Sequence, residues 1–282
     1  MTAKLFKLQF REVWRVIRIL IPLTFLFILV TSAAALLRIG LLTGLLMTVT
    51  VIMIIGSVFI LLALVVMNDY QNMQGRRAYF VRSIPAAPGS LFSSRFLYYL
   101  SFLLIGIAAL AAEIITLVVL MNLAEGNNGW AMVRAFFGGL AELFPMPGLV
   151  FLAYSAVLLV LNILSFMFAI SVGSEAKFRH LGIGGPVVVY IIYYIAMQVT
   201  VFVSMFLIPI GLQFNPAATA LSQADFRIVR ESMIPQFVEM IRTGIEPERV
   251  IIGLGIIPML FIVIAVITVL TYRSMDRKLT LN

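Results

Sequence analysis

Cysteine is absent from the 282 residues, and histidine occurs once, as His180. The first absence excludes disulfides and thiolate chemistry and leaves the redox compartment unreadable. The second argues against a histidine-based metal site or catalytic triad. His180 lies in a short segment beside Lys177 and Arg179, where a solvated histidine is the ordinary reading. Charge is scarce too, with only 11% Asp, Glu, Lys and Arg. No pair of carboxylates falls within an apolar run, which speaks against an intramembrane protease or lipid-modifying enzyme. None of Lys4, Lys7, Lys177 or Lys278 precedes a Ser or Thr, so a phosphate-cradling Gly-Lys-Ser/Thr loop is missing.

What the chain has in quantity is hydrophobic residues, 62% of the total. They gather into six long runs: Ile19–Leu37, Leu41–Met67, Phe96–Leu120, Gly148–Val172, Gly182–Gly211 and Val250–Tyr272. Each approaches or exceeds the ~20 residues an α-helix needs to cross a bilayer core of ~30 Å. The second and fifth are longer and are expected to tilt, kink or protrude. A soluble helical protein would need polar faces on most helices, and these runs have none. The segment Leu212–Arg249 is the longest outside the runs and too short for a core of its own. The fold class expected is therefore an all-α polytopic membrane protein: one six-helix domain over residues 19–272, a leader over 1–18 and a tail over 273–282.

Charge distribution gives the topology. With the amino terminus inside, the inner segments hold Lys4, Lys7, Arg11, Arg15, Arg18, Arg76, Arg77, Arg82, Arg95, Lys177, Arg179, Arg273, Arg277 and Lys278. The outer segments hold only Arg38, Arg134, Arg227, Arg230, Arg242 and Arg249. This inside-positive bias places both termini in the cytoplasm. The net charge of +8 is then a topology signal and a contact for anionic membrane lipids, and no nucleic acid is expected as partner. The stretch Thr31-Ser32-Ala33-Ala34-Ala35 resembles a signal-peptide cleavage site. However, the basic region before it is long, and the apolar run continues to Leu37 and into a hairpin across Arg38-Ile39-Gly40, so a retained helix is expected.

Residues 1–18 read as an amphipathic helix, with Lys4, Lys7, Arg11, Arg15 and Arg18 on one face and Phe6, Phe10, Val13 and Ile17 on another. Such a segment is expected in the headgroup layer, either as a positive anchor for the first span or as a partner contact. Helical stripes also recur in the outer loops, 123–147 and 212–249. Trp130, Val133, Phe137, Leu140 and Phe144 form one; Phe226, Val229, Met233, Phe237 and Met240 form the other, with Pro235 expected to start a second short helix. Gly182, Gly184, Gly185 and Pro186 allow the fifth helix to start sharply or to pack closely, and Pro209 is expected to bend its far end.

Polar groups within the runs are few: Glu113, Asn162 and Gln198. An ionisable side chain at membrane depth is a functional candidate by default. Glu113 lies deep enough in the third run to be expected near the outer headgroups, as a structural carboxylate in reach of water or as a substrate or ion contact. Asn162 and Gln198 read as helix bridges or as possible gating groups.

The segment 68–95, between the second and third runs, carries the strongest functional signal. Gly75 permits a tight turn, while Pro85 and Pro88-Gly89 end one helical piece and begin another. Tyr79 and Phe80 stand among Arg76, Arg77 and Arg82, a composition suited to docking on a protein. The segment resembles the corresponding loop of type-2 ABC transporter permeases, which often reads Gly-Lys/Arg-Arg-Gly-Tyr, then Leu-Pro, then Ser-Lys. Gly75, Arg77, Tyr79, Pro85 and Ser94 match; Ala78, Ile84 and Arg95 replace a glycine, a leucine and a lysine. The six-span layout, the leader and the long last outer loop extend the resemblance over nearly the whole chain.

The resemblance implies a type-2 ABC exporter permease architecture in the bacterial cell membrane. Two permeases, identical or paralogous, would stand over two cassette ATPase subunits. The leader and the residues Gly75, Arg76, Arg77, Tyr79, Phe80, Pro85, Ser94 and Arg95 would contact the ATPases. ATP and Mg would be held by those subunits, with no cofactor, metal or catalytic residue on this chain. The expected cargo is an amphipathic peptide antibiotic, drug or lipid-like compound. The alternatives are a secondary transporter driven by an ion gradient, and a non-enzymatic immunity or scaffold protein.

Overall fold

A computed structural model describes residues 2–74, 77–78, 87–143, 147–175, 177–214, 227–244 and 249–280. Its helices are α1 (Thr2–Leu36), α2 (Gly40–Met73), α3 (Pro88–Ala124), α4 (Gly129–Leu143), α5 (Pro147–Gly173), α6 (Gly184–Leu207), α7 (Met233–Thr243) and α8 (Ile256–Thr280). Three short strands join them: β1 (Gly211–Phe214), β2 (Arg227–Val229) and β3 (Val250–Gly253). Six helices are long and apolar enough to cross a membrane, so the chain has the character of a multi-pass membrane protein. The chain divides into two compact units, Met1–Gly148 with Met275–Asn282, and Leu149–Ser274.

In the first unit α1 packs on both α2 and α3. Its buried line is Leu5, Gln9, Val13, Ile17, Thr24, Ile28 and Thr31, spaced by three, four or seven residues as one face of a helix requires. The leader is thus continuous with the first span. Its inward face is that of Leu5 and Gln9 rather than that of Phe6, because α2 and α3 extend beyond their apolar runs and cover it. Phe10 stacks on Phe102 of α3 with ring centroids 4.7 Å apart, while Lys4, Lys7, Arg11, Arg15 and Arg18 stay exposed. Small hydroxyls draw α1 to α2: the Thr31 and Thr50 oxygens lie 2.6 Å apart and both residues are fully buried. The α1–α2 turn holds Arg38 at φ 55, a left-handed cap more usual for glycine.

Helix α3 begins at Pro88, where the missing N–H costs nothing. The stripe from Trp130 to Leu140 forms α4 as expected, with Phe144 outside the described residues, and Gly129 lets its first turn come against the Val119 backbone.

In the second unit α5 and α6 meet through Phe166 stacked on Tyr190, with centroids 5.4 Å apart. Helix α6 stops at Leu207, before the bend expected at Pro209. Ile208 is extended, as the residue before a proline prefers. A three-stranded antiparallel sheet of order β2-β1-β3 follows, with Leu212 opposite Ile228 on one side and Ile252 on the other. The sheet corrects two helical expectations. Val229 lies in β2 rather than on a helical stripe, so the helix over this stretch begins only at Met233, two residues before Pro235. Val250–Gly253 is strand, so α8 starts later than the apolar run and continues through Thr280, absorbing most of the expected tail. A short run of consecutive β-branched residues reads equally as strand or span when it adjoins an apolar helix.

Gln236 ties α7 to β3. Its Oε1 accepts from the Ile251 amide at 2.8 Å, and its Nε2 donates to the Arg249 carbonyl. Gln236→Ala removes both bonds and is expected to cost about 1 kcal/mol. Faster amide exchange at Ile251 is the measurement.

Candidate functional site

The first unit carries a dense polar cluster where α2 and α3 approach the segment between them. Asp69, in the last turns of α2, is 1% exposed, and Arg95, in the second turn of α3, is 0% exposed. The two form a bidentate pair: Arg95 Nε donates to Asp69 Oδ1 at 2.8 Å and its guanidinium NH2 donates to Oδ2 at 2.6 Å. Tyr99, one turn beyond Arg95 and on the same face, donates its hydroxyl to Asp69 Oδ2 at 2.9 Å. A planar fork meeting a carboxylate with a third donor is the arrangement that lets a charge pair survive burial.

A second tier surrounds it. Asn68 Nδ2 donates to the Tyr98 hydroxyl at 3.1 Å, and that hydroxyl donates to the Val65 carbonyl at 3.2 Å. Asn68 Nδ2 also lies 3.4 Å from the Gln9 carbonyl of α1. Arg77, beyond the end of α2, forms a partly exposed ion pair with Glu12 of α1. Below, Leu5, Leu91 and Met73 make a small apolar contact among the three helices. Both ends of the intervening segment are therefore tied to one another and to the leader.

Among the residues expected to meet a partner, Arg77 is on the surface, as that role needs. Ser94 and Arg95 are not: both are fully buried. Ser94 donates to the Leu91 carbonyl of its own helix, while Arg95 is held by Asp69 and so joins the two helices that flank the segment. Gly75, Arg76, Tyr79, Phe80 and Pro85 lie outside the described residues. Asp69, Tyr99, Asn68 and Glu12 escaped the sequence reading. Their signal was present: an aspartate at the end of α2, an arginine and tyrosine four apart on α3, and the leader's one acid among its bases.

Farther along α3, eighteen residues or about 27 Å from Arg95 at 1.5 Å per residue, stands Glu113. It does not reach water. It is 1% exposed because α1 crosses over it, and its Oε1 receives the Thr24 hydroxyl. Its Oε2 has no hydrogen-bond partner. Glu113 is among the residues that line a cleft of about 20 Å³ between α1, α2 and α3, with Ile17, Ile21, Ser57, Leu61 and Ala109 as neighbours.

The two amides of the second unit lie outside any cluster. Asn162 is exposed and donates to the Leu158 carbonyl of its own helix at 2.8 Å, so it does not bridge to a described neighbour. Gln198 is exposed on α6. Among the described residues no group of three or more His, Cys, Asp or Glu could hold a metal ion.

Compared with protein-family models, with curated proteins and with solved structures, the chain matches none.

Proposed function

We propose that the chain is the permease subunit of an ATP-driven exporter of the type-2 ABC kind, moving an amphipathic substrate out across a bacterial cell membrane. Both termini and the 68–95 segment face the cytoplasm in this reading, where separate cassette ATPases bind ATP and Mg. The supporting observation is the buried Asp69–Arg95–Tyr99 cluster. A segment that receives a push from a motor must pass it on without yielding, and a bidentate pair joining its two flanking helices makes them move together. The Glu12–Arg77 pair brings the leader into the same body, as a contact shared with the ATPase requires. Gln198, an amide exposed on an apolar helix, favours a second permease copy or paralogue against α6, since an unpaired amide facing lipid costs several kcal/mol. ATP-driven closure of the ATPases then shifts the spans as rigid bodies and switches access.

Co-purification from the native membrane tests this. A cassette ATPase is expected with the chain. Arg77→Ala or Tyr79→Ala should leave ATP hydrolysis running while transport falls by about tenfold or more, the equivalent of ~1.4 kcal/mol. A chain that purifies alone and transports without ATP removes the reading. The buried Glu113 favours one other reading, a transporter coupled to an ion gradient. In that case transport collapses with the proton gradient and persists without ATP.

A further inference from the structure

We propose that the Glu113 cleft receives the primary ammonium head of an amphipathic compound that enters from the bilayer. Glu113 is buried and one of its oxygens is unpaired. Its other oxygen shares a single donor. The Thr24 hydroxyl also lies 2.7 Å from the Ile21 carbonyl, and one hydroxyl hydrogen serves one acceptor at a time. Ser57, the other hydroxyl on the cleft, is spent on the Ile54 carbonyl at 2.7 Å. The remaining lining is aliphatic or glycine, with no Lys or Arg among the described residues. The carboxylate therefore has acceptor capacity that the chain itself does not fill, in surroundings where a lone charge is expensive.

The size of the cleft selects the occupant. Its volume of about 20 Å³ admits one group of the bulk of a water or an –NH3+. A primary ammonium carries three N–H donors and fits. A trimethylammonium carries none and is several times larger. Val58, on the cleft's lining, is 37% exposed, so in this proposal an alkyl tail stays outside along that face of α2 while only the head enters. This deepens the exporter reading by naming the head group of its substrate, yet binding requires no ATPase. If the amine fails to bind, the exporter reading stands; if no ATPase co-purifies, the amine site stands.

The test is calorimetric titration of the full chain in lipid nanodiscs, with empty nanodiscs as reference and dodecylamine and dodecyltrimethylammonium as probes. The expected result is saturable binding of dodecylamine, about tenfold or more tighter than its quaternary counterpart. Glu113→Gln removes the ionic acceptor and Ala109→Leu fills the cleft; each should weaken dodecylamine by about tenfold or more while thermal melting shows a folded protein. If Glu113→Gln fails to fold, Ala109→Leu decides alone. Equal binding of the two probes, or unchanged dodecylamine affinity in the folded variants, overturns the proposal. So does a wild-type protein that takes up a proton but shows no saturable amine binding.

Discussion

Arg95→Met should lower the stability of the purified protein by about 3–5 kcal/mol, among the largest single-residue losses expected of this chain. The loss does not come from an attraction forgone. It comes from Asp69, left 1% exposed with, among the described residues, only the Tyr99 hydroxyl still donating to it in place of the guanidinium. Asp69→Leu should also destabilise, because it removes the carboxylate that takes two donors of the buried guanidinium. The double variant Asp69→Leu with Arg95→Met should be milder than the sum of the two singles, since replacing a buried pair by apolar groups is often near neutral, although the Tyr99 hydroxyl loses Asp69 as acceptor. Thermal unfolding in detergent reads all three. Two damaging singles and a mild double establish a buried pair; three equal losses would mean that shape rather than charge is at stake. The double variant also separates stability from coupling. It keeps the fold but replaces a fixed two-point fork by contacts that slide, so under the exporter reading ATP hydrolysis should continue while transport drops.

The six spans were legible because lipid imposes a length and a composition that few other environments demand. The same rule hid the ends of the helices. α1 and α3 run well past their apolar stretches, and polar residues there pack on one another rather than on lipid. Hydropathy could not show that Gln9, Asn68 and Asp69 are inside, because a polar residue is buried only when a partner from a distant part of the chain arrives to meet it. Glu113 shows the converse. Its place along α3 allowed contact with water, and the packing of α1 and α2 against it closes it off. The sheet of β1, β2 and β3 was missed for a further reason. Strands of three or four residues leave too few alternations to compete with an adjoining apolar run or a helical stripe. The Gly182–Pro186 stretch allows a sharp start or a close approach, and among its glycines the close approach belongs to one.

That residue is Gly185, and Gly185→Ala is expected to destabilise the second unit by about 1–3 kcal/mol or more. A methyl there would stand 2.5 Å from the Gly173 carbonyl oxygen and 3.1 Å from that of Phe178. Both obstacles are backbone, so no rotamer change relieves them. Gly173 is constrained from the opposite side, its added carbon falling 2.5 Å from Pro186 Cα. Gly184 makes the control. An added carbon there comes no nearer than 3.7 Å, to the side chain of Leu181, and alanine favours a helix over glycine by about 1 kcal/mol. Gly184→Ala should therefore be neutral or slightly stabilising. Opposite signs from neighbouring glycines, read by thermal unfolding, would establish that α5 and α6 touch backbone to backbone; equal effects would show no such contact. Where two helices meet without side chains between them, they can turn about the contact but cannot slide through it. Under the exporter reading, if α6 shifts when access switches, its end at Gly185 is the pivot, and a bulkier residue there should slow transport beyond what the loss of stability explains.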